Sequence, residues 1–482
     1  MTKKKIVQKV FSDSIVYGFS RYLSLFAAIF LTPIFTRILT KADYGIMDIY
    51  NSWNALMIAV LPLGLLNAII RFYPEVKDQT EKKNELLQGI TSLFVLISGI
   101  YVLALLLFTP LLNSLLEIHS YPELYYYSIG IVVLTIFFNY NLEILRAKFK
   151  KIVYGGLSLL NFVILSALGF ILVFYYKTGV KGFFIASLVS LIVSNIVAFY
   201  FNPKLLQVTI KFTHFKKLLE YSIHFVSVIF LFQATEILDR YLIKEYLSIE
   251  DVGVYSIAVR ISGVLKIVLS SFGMAWMPYV FAMNRETAKN LIPLFFNLFI
   301  FGSLFLIIVI SCFRTELILF FAPDYQDAFH LIPLLLILNF ILAFVYVFTL
   351  GIQISKKTKA ITYAAILSII ANVCFSVWFV QYMGMYGIVW GSIIGSLLWV
   401  GVQHFYSQKL FKITYQYSLL VISLLVGLAL TFLTSVNWPL FTQFSFIHLV
   451  IKSVAVLLLL AVLVVGFFKV YLPKLKQQKL TQ

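Results

Sequence analysis

The chain alternates long apolar stretches with short polar gaps almost from end to end. The stretches fall at about 12–36, 46–70, 86–112, 123–144, 153–176, 181–201, 218–243, 252–281, 291–312, 328–353, 360–382, 386–407, 415–435 and 446–468. A helix that crosses a bilayer needs roughly 20 apolar residues, and each stretch reaches that length. No gap is long enough to hold a soluble catalytic domain. The pattern predicts an all-α, polytopic membrane protein with fourteen transmembrane helices, acting within or across the membrane. Composition agrees: 61% of the 482 residues are hydrophobic, where a soluble domain has about half. MTKKKIVQKVF at the N-terminus has the charge of a signal peptide. The apolar run behind it is too long and no small-residue cleavage site closes it, so it is expected to stay as the first helix. Cys312 and Cys374 lie inside apolar stretches and are expected as packed small hydrophobes rather than a disulfide.

Charge sets the orientation. The net charge of +18 could suggest nucleic acid, but its distribution argues otherwise. Taken alternately from the N-terminus, one set of gaps holds 27 of the Lys and Arg residues, while the other holds 6: Arg37, Lys41, Lys177, Lys181, Lys244 and Arg314. Loops rich in Lys and Arg stay on the cytoplasmic side, so both termini are expected there. The basic excess is an orientation signal, aided by anionic lipid.

The chain also repeats itself. KADYGIMDIY (41–50) returns as IEDVGVYSIA (249–258), with Asp43 and Gly45 matched by Asp251 and Gly253 at an offset of 208. Lys148, Lys150, Ile152 and Tyr154 return as Lys357, Lys359, Ile361 and Tyr363, offset 209. The ladder Gly182, Ala186, Ser190 returns as Gly387, Gly391, Gly395, offset 205. The near-constant offset implies two six-helix repeats, an N lobe over 1–208 and a C lobe over 209–410. The segment 411–482 adds two C-terminal helices and a cytoplasmic tail. Six spans per half make the repeats parallel, with the substrate path between the lobes. The small residues read as helix-packing surfaces, and Pro62 with Gly64 as an interruption of the second span.

Charges inside the spans are candidates for function, because each costs about 2.5–3.5 kcal/mol at mid-membrane. Arg21 lies roughly 13 Å into the first span at 1.5 Å per residue. Arg260 and Lys266 lie in the eighth. Neither Arg21 nor Arg260 has a carboxylate three or four residues away, and a guanidinium suits phosphate through paired hydrogen bonds. In the seventh span Gln233, Glu236 and Arg240 share one helical face, and Glu236 with Arg240 has the spacing of a pair. Asp48 begins another polar face in the second span. Arg21, Arg260, Arg240 and Lys266 are therefore candidate substrate-binding residues, and Glu236, Asp239 and Asp48 candidate ion-coupling residues. The competing reading is internal ion pairs that lock helices. Glu316, Asp324 and Asp327 look like a solvated outer loop. No His/Cys group has metal-binding spacing, and no cofactor is expected beyond coupling to H⁺, Na⁺ or the membrane potential.

TPIFTRILTKADYGIMDIY followed by LPLGLLNAIIRFYPE resembles the opening of polysaccharide exporters of the multidrug/oligosaccharidyl-lipid/polysaccharide superfamily. RYLIKEYLSIEDVGVYSIAVRI, AWMPYVFA, FFAPDYQDAFHLIPLLLI and MGMYGIVWG fit the same family in order and spacing. The resemblance implies an O-antigen-type flippase, not an enzyme, in the bacterial inner membrane. Its cargo would be an undecaprenyl-pyrophosphate-linked oligosaccharide, an O-antigen, capsule or exopolysaccharide unit, moved to the outer leaflet by alternating access. Its partners would be membrane lipids, a polymerase and other polysaccharide-assembly proteins, and no nucleic acid. Related lipid II flippases carry cavity arginines on helices 1, 2 and 8. Arg21 and Arg260 match helices 1 and 8, whereas the second span carries Asp48, which favours a different glycan. A cation-coupled multidrug extruder, or a membrane-embedded glycan ligase or polymerase, remains the alternative.

Overall fold

The computed structural model describes residues 31–66, 79–107, 122–148, 150–203, 215–282, 285–355, 359–415 and 444–458, with isolated positions between 69 and 76 and between 417 and 429. All regular structure among them is helical. The chain forms two compact units, Met1–Tyr241 and Leu242–Gln482. The first contains α1 (Lys41–Val60), α2 (Thr80–Leu107), α3 (Glu123–Ala147), α4 (Lys151–Phe170), α5 (Val180–Phe201) and most of α6 (Phe215–Tyr246). The second contains the end of α6 and α7 (Ile249–Ala282), α8 (Arg285–Cys312), α9 (Arg314–Phe321) and α10 (Leu331–Ala343). The short turns α11 (Val345–Phe348) and α12 (Leu350–Ile354) follow, then α13 (Lys359–Met383), α14 (Met385–Leu410) and the apolar helix α15 (Phe446–Leu458). Residues 209–241 thus fall with the first unit.

Among the described residues, eight helices are long and apolar enough to cross a membrane, or nine if α8 and α9, bent by 63°, form one broken span. These nine coincide with the third to sixth and eighth to twelfth apolar stretches. The greater part of the first and thirteenth stretches lies outside the described residues.

The repeated motifs are helix starts. Thr40 caps α1: its Oγ1 accepts from Asp43 N at 3.1 Å, and the Asp43 carboxylate accepts from Thr40 N at 3.3 Å. At α7, Ser248 Oγ accepts from Asp251 N at 3.0 Å and donates to the Asp251 carboxylate at 2.7 Å. Each motif satisfies N–H groups that the first turn leaves unpaired. The ladders begin alike. Gly179 (φ 63°) precedes α5 and Gly384 (φ 56°) precedes α14, both in the left-handed region open to glycine. Gly182 N donates to Gly179 O at 3.2 Å, and Gly387 N to Gly384 O at 3.0 Å.

In the first unit α3 packs on α1 and α5, and α4 on α5. Phe94 meets Tyr140 edge-on at 4.9 Å, and Tyr140 donates to Leu87 O at 2.7 Å. Asn195 on α5 donates to Leu134 O of α3 at 2.9 Å. These two contacts pair buried polar groups across helices, which favours a span in lipid. The second span breaks where Pro62 and Gly64 predict: α1 ends at Val60, and Leu63 (φ 47°) and Gly64 (φ 69°) turn the chain.

In the second unit α13 and α14 form the tightest pair. A methyl group added at Gly387, Gly391 or Gly395 would strike the backbone of Phe379, Ser376 or Ser368. Asn372 donates to Ser392 Oγ at 3.0 Å across that contact. Small residues here let two backbones approach, and the hydrogen bond fixes their register. Both cysteines are free; Cys374 is exposed on α13 rather than packed.

Candidate substrate and ion-coupling site

The best-defined charged site of the first unit rests on α1 and α6. Asp48 lies two turns into α1, past its cap, and is buried; Arg240, near the end of α6, is 6% exposed. Arg240 Nε donates to Asp48 Oδ2 at 2.8 Å, and its Nη1 to the main-chain carbonyl of Glu236 at 2.9 Å. The spacing of Glu236 and Arg240 carries a side-chain to backbone contact, and a carboxylate from another helix also takes the guanidinium. Asp239 is buried beside this pair in sequence, and Glu236 is half-buried. Three of the expected coupling residues and one expected binding residue thus sit on two helices of one unit. The carboxylate and the cation neutralise each other in a water-poor setting, which offsets the cost of burying either.

The other expected residues stand elsewhere. Arg260 is half-buried on α7 and Lys266 is exposed further along it. Both belong to the second unit. Arg21 lies outside the described residues.

The second unit holds a further buried charge cluster. Lys452, 2% exposed on α15, donates to both carboxylate oxygens of Glu316 at 2.8 and 3.1 Å. Arg314 is fully buried at the start of α9, its guanidinium 3.6 Å from the centroid of the Phe329 ring. The expected solvated loop around Glu316 is instead a folded helix with a buried anchor. The available signal was Lys452 itself, a cation in the middle of an apolar stretch, which requires a partner. The sequence carries no Asp or Glu after Asp327, so that partner had to come from upstream. Among the described residues, no group of three or more His, Cys, Asp or Glu is placed to hold a metal.

Residues 6–284 match the sequence profile of a family described as polysaccharide biosynthesis protein. "Lsg locus putative protein 1" of Haemophilus influenzae is 22% identical over 290 residues, covering 58% of this chain and 67% of that protein. Among solved structures, a lipid II flippase, MurJ, in an inward closed conformation superposes with a TM-score of 0.70 at 18% identity, covering 95% of this chain and 99% of that one. An inward-facing multidrug resistance MATE family transporter of the MOP superfamily gives a TM-score of 0.68 at 16% identity, covering 81% and 94%. A MATE transporter of Vibrio cholerae, VcmN, gives 0.60 at 14%, covering 84% and 97%. These likenesses establish the fold: an all-α polytopic membrane architecture common to flippases and drug exporters.

Proposed function

This chain belongs to the polysaccharide biosynthesis protein family, and we propose that it is a flippase for undecaprenyl-pyrophosphate-linked oligosaccharide. The family match, which spans more than half of the chain, carries the reading. The fold alone is shared with MATE exporters and does not choose between a glycan and a drug.

In this reading fourteen spans form two six-helix lobes, 1–208 and 209–410, with 411–482 adding two helices and a tail. The termini face the cytoplasm of a bacterial inner membrane. The lobes alternate access around a hydrated cavity, and no bond is made or broken. Arg21 and Arg260 hold the pyrophosphate, with Arg240 and Lys266 extending the cationic surface, while the polyprenyl chain stays in lipid. The inside-negative potential drives an anion outward by about 2.3 kcal/mol per charge per 100 mV. The Asp48–Arg240 contact adds a second source of coupling. Protonation of Asp48 would release the Arg240 guanidinium to an arriving anion, and deprotonation would reclaim it. Glu236 and Asp239 are the further candidates for H⁺ or Na⁺. Polymerase and other assembly proteins would receive the glycan at the outer leaflet.

The test is Arg21→Ala and Arg260→Ala, singly and together, read as glycan export against protein abundance in the membrane. Export should stop while abundance holds, and Lys at either position should restore it partly, since charge returns without the two-pronged geometry. An active double mutant at normal abundance would overturn the cationic-cavity reading.

A further inference from the structure

The second unit carries a histidine that the transport reading does not use. His404 lies near the end of α14, in a helix otherwise built for lipid. An ionisable residue inside a span implies a role by default. Its surroundings are built by the chain that leaves the helix. Gln408 clamps the segment that follows: Ile413 N donates to Gln408 Oε1 at 2.9 Å, and Gln408 Nε2 donates to Ile413 O at 2.8 Å. The clamp extends the segment, so that Phe411, Ile413 and Tyr415 turn inward while Lys412 and Thr414 face out. Tyr415 and Tyr417 are thereby laid against His404.

His404 Nε2 and Tyr417 Oη share a hydrogen bond of 3.0 Å. The opposite nitrogen, Nδ1, is buried and has no hydrogen-bond partner among the described residues. The same holds for Tyr415 Oη, on a tyrosine that is 6% exposed. The two rings are neighbours, with centroids 5.6 Å apart, and both pack on Phe348, at 4.2 Å for His404 and 5.3 Å for Tyr415. Buried polar atoms in folded proteins are almost always paired. Two that lack a partner on adjoining rings point to one ligand that both accommodate.

We propose that His404 is a proton-binding site, taking a second proton at Nδ1 with Tyr415 Oη as its acceptor and Tyr417 Oη holding the other nitrogen. A neutral imidazole has one donor and one acceptor, whereas the imidazolium donates from both nitrogens. Protonation therefore converts one contact between His404 and the two tyrosines into two, and the site becomes a clasp set by pH. The charged or titratable groups carried by the surrounding elements include Glu286 and Lys289 on α8, Tyr346 on α11, Lys359 and Tyr363 on α13, and Tyr406, Lys409 and Lys412 beside the clasp, along with the two tyrosines themselves. Nothing from α10 onward brings a carboxylate, because the sequence has none after Asp327. The tyrosine hydroxyls are the acceptors whose rings adjoin the imidazole. The inference does not depend on the molecule transported.

The experiment is a ¹³C-histidine NMR titration of the full chain in lipid nanodiscs from about pH 5 to 9, the range over which imidazole charge changes. The sequence has 6 histidines, and the resonance lost in H404Q identifies the site. Should H404Q fail to accumulate, the line displaced in Y417F serves instead. That line should titrate, and Y415F should lower its proton affinity roughly three- to tenfold, the worth of one hydrogen bond. A His404 line that stays fixed across the range would overturn the proposal. So would a midpoint that is the same in Y415F as in the parent protein.

Discussion

Removing one partner of the Asp48–Arg240 pair should be far more damaging than removing both. Both residues are buried, and the bond joins residues 192 apart in the sequence. Arg240→Met leaves a carboxylate inside α1 without the Nε–H that satisfies it, and Asp48→Leu leaves a guanidinium with the Glu236 carbonyl but no counter-charge from α1. A stranded buried charge costs about 3–5 kcal/mol, whereas replacing a whole buried pair with apolar residues of similar size is often neutral. Each single variant should therefore lose membrane abundance and melt at a lower temperature in detergent, and the double variant should recover most of both. If the chain is the proposed flippase, glycan export then separates the roles. If Arg240 only locks α1 to α6, the recovered double variant exports. If it handles the anion, the double variant is folded and silent. Single variants that match the parent in abundance and melting would refute the reasoning, because the pair would then be neither buried nor coupled in the way its geometry requires.

Two further outcomes follow from the second unit. Lys452→Ala should reduce accumulation, since Glu316 loses both hydrogen bonds it accepts from Lys452, while Lys452→Met combined with Glu316→Leu should restore it; abundance by immunoblot checks both. Gly391→Val should destabilise by about 1–3 kcal/mol or more through overpacking against the Ser376 backbone, whereas Gly401→Val, on the same helix with open space at its Cβ, should melt like the parent.

What could be read from the sequence was what local chemistry dictates. Helix length and apolar character follow from the bilayer, so among the described residues eight of the expected spans coincide with membrane-length helices, or nine with the bent pair α8 and α9. The Asp–Gly motif at 43 and 251 was visible as a repeat, and its physical reason is the cap that Thr40 and Ser248 share with those aspartates. Pro62 and Gly64 announced the break in the second span because their backbone preferences are intrinsic. Partners of buried charges were not legible. Reading at three or four residues along a helix pairs Arg240 with Glu236, and it cannot find Asp48, which arrives from another helix. Lys452 shows the same limit from the other side. Its need for an anion is written in the sequence, but the choice of Glu316 depends on how α15 lies against α9. His404 carries no pattern at all, and only the clamp made by Gln408 brings tyrosines to it.

The repeated and unrepeated positions divide the molecule by role. The features that recur are those that start helices and pack them: the two caps, the two left-handed glycines and the small-residue ladders. The charges further inside these two helices do not recur. At the offset of 208 that relates the caps, Asp48 corresponds to Ser256 and Arg260 to Ser52. Each pair of positions is four residues apart on the helix behind its cap, hence on one face. In the first unit that face carries an acid and then a serine, and in the second a serine and then a base. Ser256 is buried and turns its hydroxyl back to Val252 O at 2.7 Å, a local solution that needs no counter-charge. If the chain moves a lipid-linked anion as proposed, an acid on one helix and a base on the other, each one turn from a serine, are the positions where the two halves would differ in handling it. The residues that break the repeat, Asp48 and Arg260 above all, are therefore where mutagenesis for transport should begin, ahead of the motifs that the two halves share.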